Sequence, residues 1–192
     1  MLFKTLLLNF LVAGMAVSSV VVPAADERTK RVMEKKSGKR GLHEEVTESV
    51  LIEYASSVEV CIQEKGPSIL KDCDKGHAED VKDGLEEIVD KFSSLRQQCH
   101  KGIITFEFEQ IEEFCHQFVK LLKKFQTILW AIKKHVLIAE ACGVELFKCG
   151  FELNEIFKFI VSYKVDFLGF AISLGIDFSL FAGIGFSVPH LD

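Results

Sequence analysis

The chain has 192 residues, 48% of them hydrophobic and 27% charged, with a formal net charge of −5. No G-x-S-x-G, no H-E-x-x-H, no phosphate-cradling glycine loop and no recognisable pair of catalytic carboxylates occurs, so a non-enzymatic protein without a cofactor is expected. The charge is uneven: 25 acidic against 15 basic side chains from Gly41 to Asp192, a balance that argues against nucleic acid as a partner.

Met1 to about Ala24 carries one early cation, Lys4, then an apolar run from Leu6 through Val22. Val22-Pro23-Ala24 places small residues at the −3 and −1 positions before the charges at Asp26 and Glu27. That order predicts a secretory signal peptide over 1–24 rather than a membrane anchor. Residues 25–40 form a basic segment with seven Lys or Arg against three Asp or Glu. Its pairs Lys30-Arg31, Lys35-Lys36 and Lys39-Arg40 suit a processing protease of the kexin or furin type. Cleavage after Arg40 is expected, because Lys39-Arg40 is the last pair before periodic sequence begins.

The body from 41 to 163 reads as a mainly α domain of about four helices. From Glu44 to about Glu64, Val46, Val50, Leu51, Tyr54, Val58, Cys61 and Ile62 follow three-and-four spacing, and Gly66-Pro67 is expected to end that helix. A short turn leads through Ile69 and Leu70 to Cys73. A second helix, Ala78 to about Cys99, buries Val81, Leu85, Ile88, Phe92 and Leu95, with Glu79, Asp80 and Asp83 in its first turns complementing the helix dipole. Ile104 to Glu109 alternates like a strand but is read as the entry to a third helix, about Glu109 to Ala141. A fourth runs from about Cys142 to Tyr163, with Leu146, Leu153, Ile156, Phe157 and Ile160 on one side.

All six cysteines, Cys61, Cys73, Cys99, Cys115, Cys142 and Cys149, lie in this body. An even number behind a signal peptide predicts three disulfides. Cys142 and Cys149 are seven apart, about 10 Å along one helix, so each is expected to bond to a different element. Cys99-His100 and Cys115-His116 could suggest a metal. Without a C-x-x-C knuckle and in an oxidising compartment, disulfides are the preferred reading and no metal is expected.

Two segments could carry activity. Within the third helix, Lys120, Lys123, Lys124, Lys133 and Lys134 face away from a Leu/Ile/Phe stripe, with Trp130 beside it. Such a helix can lie in an anionic lipid interface or act as a core helix with a solvated lysine face. The tail, 164–192, is apolar and glycine-rich. Leu168, Phe170, Ile172, Leu174, Ile176, Phe178 and Leu180 occupy even positions, with small or polar residues between them. A period of two predicts a β-hairpin turning near Gly175-Ile176-Asp177, in preference to a transmembrane helix. The expected function is action on a target-cell membrane, of toxin, killer or host-defence type, through the tail and the lysine helix. The alternatives are a helical binding module, carrying a hydrophobic ligand or docking on a protein, and a matrix component that self-associates.

Overall fold

The computed structural model describes residues 47–101 and 108–187. The signal and basic segments, with Lys30, Arg31, Lys39 and Arg40, lie outside the described residues, as does most of the alternating run Ile104 to Glu109. Among the described residues there is no strand. Seven helices follow in order: α1 (Glu48–Lys75), α2 (Ala78–Cys99), α3 (Phe108–Lys134), α4 (Val136–Ala141), α5 (Gly143–Ser162), α6 (Phe167–Ser173) and α7 (Phe178–Ala182).

The first correction concerns Gly66-Pro67, which does not stop α1; the helix runs on to Lys75 with Pro67 inside it and exposed. Proline removes one amide donor from the ladder. The following Ser68 hydroxyl donates to the Lys65 carbonyl at 2.8 Å, occupying one acceptor near the break. Gly66 turns toward Ile128 of α3, and Ile62, Ile69 and Cys73 are buried on the same side. Tertiary packing of that stripe outweighs the local cost. Gly76, at φ 76°, then closes the helix, its amide and that of His77 capping the Cys73 and Asp72 carbonyls. α2 folds back along α1 from this turn.

The expected third helix is two. α3 ends at Lys134, and His135 adopts an extended conformation before α4 begins. α1 and α3 run in parallel register. Glu59 accepts from Gln117 and Lys124 near one end, Gly66 faces Ile128 in the middle, and Asp74 lies 3.5 Å from His135 at the other. α2 in turn packs along α5, where Arg96 pairs with the nearly buried Glu152.

A chain of phenylalanine rings runs through the interior. Phe92 of α2 meets Phe125 of α3 edge-on at 5.3 Å, and Phe125 meets Phe181 of α7 at 6.4 Å. Phe181 touches Phe186, and Phe186 touches Phe157 of α5. From there Phe167 of α6 leads to Phe118 and Phe114 of α3. Each ring pair adds about 0.5–1.5 kcal/mol beyond the burial of its area. Three of these rings come from the tail, so the tail completes the core.

This places the tail differently from the expected hairpin. It forms the two short helices α6 and α7. Asp166 and Asp177 each cap a helix start, their carboxylates accepting from the amides of Gly169 and Ser179 at 3.0 Å. Gly175 and Gly185, at φ 85° and 84°, turn the chain after each helix where a side chain would be strained. The buried positions are Phe167, Ala171, Ile176, Leu180, Phe181, Ile184 and Phe186, a helical rhythm rather than an even-numbered one. Capping and core contacts prevail over the period of two, helped by the poor strand propensity of Gly and Ala. Among the described residues no helix is long and apolar enough to cross a membrane.

The three expected disulfides are not shown. Cys61, Cys73, Cys99, Cys115, Cys142 and Cys149 are all buried free thiols, with no two at bonding distance. Five of them occupy apolar positions of a helix stripe and Cys142 lies at the turn between α4 and α5, as small core residues do.

Candidate functional site

The lysine face of α3 lies between α1 and the tail. Lys124 turns toward α1 and pairs with Glu59, whose carboxyl is held below its usual range by hydrogen bonds from Lys124 and Gln117, which outweigh desolvation. Lys124 is therefore engaged with α1. On the opposite flank, Lys123 donates through Nζ to the Leu174 carbonyl at 3.3 Å. Gln126 holds the α6–α7 corner with both ends of its amide: Nε2 donates to the Gly175 carbonyl at 3.3 Å, and Oε1 accepts from the Asp177 amide at 2.7 Å. The Asp177 carboxyl sits below its ordinary range, chiefly through the Ser179 hydroxyl, with the positive charge of Lys133 contributing.

Between these flanks runs an exposed strip of Lys120, Lys123, Thr127, Trp130 and Lys134, with Lys133 at its edge. The Lys133 ammonium lies 5.5 Å from the centre of the Trp130 ring, within range of a cation–π attraction. Ile172 and Leu174 are exposed on the docked corner beside it. The fold thus brings together two segments more than forty residues apart in sequence. The remaining tail residues expected at lipid, Leu168, Phe170 and Phe178, are half-buried against the core. Phe170 rests against the His116 ring at 4.5 Å, and Phe178 stacks on Phe186 at 5.8 Å.

Two residues that organise this surface went unnoticed in the sequence. Gln126 anchors the α6–α7 corner, and Asn154 does the same for the end of the tail, Nδ2 donating to the Gly185 carbonyl and Oδ1 accepting from the Ser187 amide at 2.9 and 2.8 Å. The only available signal was an asparagine inside an apolar helix, where it is a poor helix former.

The Cys-His pairs are split by the fold. Cys99 and Cys115 are buried, and desolvation pushes each thiol up to about 12, whereas His100 and His116 are exposed. The ligand atoms of Asp72, His77 and Asp80 lie within 4.8 Å of one another at the α1–α2 turn. There His77 Nδ1 is 3.3 Å from Asp80 and 3.8 Å from Asp72. No family model, curated protein sequence or solved structure matches the chain.

Proposed function

We propose that this is a secreted, proteolytically matured, non-enzymatic protein that acts on membranes, in the manner of a toxin, killer or host-defence protein. It docks on an anionic bilayer through the strip between α3 and the α6–α7 corner. The observation that carries this is the joining of three exposed apolar side chains, Trp130, Ile172 and Leu174, to a border of Lys120, Lys123, Lys133 and Lys134. Apolar side chains at the acyl boundary with lysines at the headgroups are the makings of an interfacial site. Each lysine near an anionic surface contributes about 1 kcal/mol, so the four border lysines add about 4 kcal/mol to the burial of the apolar side chains. Binding is accordingly reversible and weakens with salt.

The docked element is a helical surface, with the tail remaining folded in the core. The disulfide pattern of a secreted domain would require the helices to shift, and thiol counting on secreted protein tests it. For the membrane reading, the experiment is co-sedimentation with vesicles. The protein should bind phosphatidylserine-containing vesicles and not pure phosphatidylcholine vesicles. Lys123→Gln/Lys133→Gln or Ile172→Ser/Leu174→Ser should release it with unchanged circular dichroism. Equal binding to both vesicle types, or no loss in either double variant, would refute this assignment of the surface. Dye release from the same vesicles separates a lytic protein from one that only docks.

A further inference from the structure

Five of the nine large apolar side chains exposed among the described residues fall within 136–151, on α4 and α5. Leu137 is 80% exposed, Val144 and Phe147 63%, and Phe151 50%; Val136 is the fifth. The two helices are almost one. The Cys142 amide donates to the Ile138 carbonyl at 2.9 Å and the Leu146 amide to the Cys142 carbonyl at 3.0 Å, so four-residue bonds continue on both sides of the junction. The buried side also runs through in phase, with Ile138, Cys142, Leu146, Cys149 and Leu153 at three-and-four spacing. The outer side therefore stays in phase too. There Leu137, Val144 and Phe151 are seven apart and Phe147 stands midway between two of them, the seam of a helix made to lie against another helix.

We propose that a second copy of this chain covers this seam, its α4–α5 helix antiparallel to the first about a two-fold axis at Val144. In that register Val144 meets its own counterpart. Phe151 meets Leu137, and Phe147 meets the small Ala141, so that large and small side chains interdigitate. Lys148 meets Glu140, and the two-fold axis forms that pair twice; both residues are exposed. The apolar and the charged positions are matched by one register, which is the mark of a self-complementary face.

The area agrees. Taking about 150–200 Å² for a fully exposed side chain of this size, the five residues offer roughly 500 Å² of apolar surface per copy, near the most a monomer usually exposes. Glu140, Ala141 and Lys148 extend the face toward the ~800 Å² per partner of a specific interface. Phe147 is already held on one edge by the backbone at Gly185, where a Cβ would approach its ring to 3.0 Å, so little freedom is left for association to remove. The inference does not rest on the membrane reading, which uses α3 and the α6–α7 corner.

The test is sedimentation velocity on the secreted chain from about 1 to 100 μM, the range where a modest interface dissociates. The wild type should pass from monomer to dimer. Val144→Lys, which sets two ammonium groups on the axis, should weaken the dimer by at least about tenfold. Lys148→Glu and Glu140→Lys each turn both ion pairs into repulsions, so each variant alone should be monomeric. Mixed in equal amounts they become complementary and should form a heterodimer. A wild type that remains monomeric throughout overturns the proposal. So does a dimer indifferent to Val144→Lys, or a mixture of the two charge variants that stays monomeric. All three positions are exposed, and unchanged circular dichroism confirms that each variant is folded.

Discussion

Replacing Gly150 with alanine should destabilise the protein, although at an ordinary helix position that change stabilises. Gly150 lies in the middle of α5, where alanine would normally gain about 1 kcal/mol in helix propensity. Here the added Cβ would stand 2.0 Å from the Ile184 carbonyl oxygen, 2.9 Å from its carbon and 3.2 Å from the Phe186 nitrogen. These are backbone atoms, so no rotamer change relieves the contact. Relieving the 2.0 Å contact requires the tail to move by about 1 Å or more, and overpacking of this kind costs about 1–3 kcal/mol. Release of the segment would cost more. Ile184 and Phe186 are both buried, at about 1.5–3 kcal/mol each, and the two hydrogen bonds to Asn154 would go with them. Set against the propensity gain of about 1 kcal/mol, the upper end of that overpacking range leaves a net loss of about 2 kcal/mol. Urea unfolding measures it, with Gly143→Ala as the control, since Gly143 starts the same helix with nothing within 4 Å of its Cβ position. If both variants are equally stable, the tail does not rest on α5 and the description of the core is wrong.

A lysine scan of the tail should follow a helical rhythm. Ile176→Lys buries an ammonium and should cost about 3–5 kcal/mol, while Ile172→Lys, at an exposed position, should stay within about 0.5 kcal/mol of the wild type; damage at every even residue would restore the hairpin. Stability should fall as pH rises above about 9. Burial holds the thiols of Cys99 and Cys115 near 12 and that of Cys142 near 11, so the unfolded chain releases its protons first and the stabilisation present below pH 9 is progressively lost. A denaturation midpoint flat to pH 11 would show the cysteines paired instead of free. N-terminal sequencing of secreted protein should begin at Gly41, and a sole start at Ala25 or Asp26 would remove the basic-pair processing step.

Much of the helical body was legible because burial is periodic. The apolar positions of Val81 to Leu95 and of Ile111 to Ile132 are the buried ones, and a 3.6-residue repeat records a buried face whatever it packs against. The lysine face of α3 was equally readable, since a solvated stripe is the complement of a buried one. Helix ends were less so. Pro67 is a strong local breaker, yet what keeps α1 going is burial of Ile69 and Cys73 between helices whose proximity no local pattern records. His135, where the expected third helix divides, carries no breaker at all.

The tail shows most sharply what sequence alone determines. Its composition established that it would be buried somewhere and that glycine would permit tight turns. Its alternation could not say whether the even residues share a face, because that is true only if the backbone is extended. The choice was made elsewhere, by Asp166 and Asp177 capping two helix starts, by Gln126 and Asn154 holding the turns, and by the opening over Gly150 that admits the Ile184 backbone. Each of these is a contact, or a vacancy, set by chain folded against chain. The sequence by itself determined that most of the tail's apolar residues would leave water; tertiary structure decided their conformation and which of them, Ile172 and Leu174 beside Trp130, were left outside.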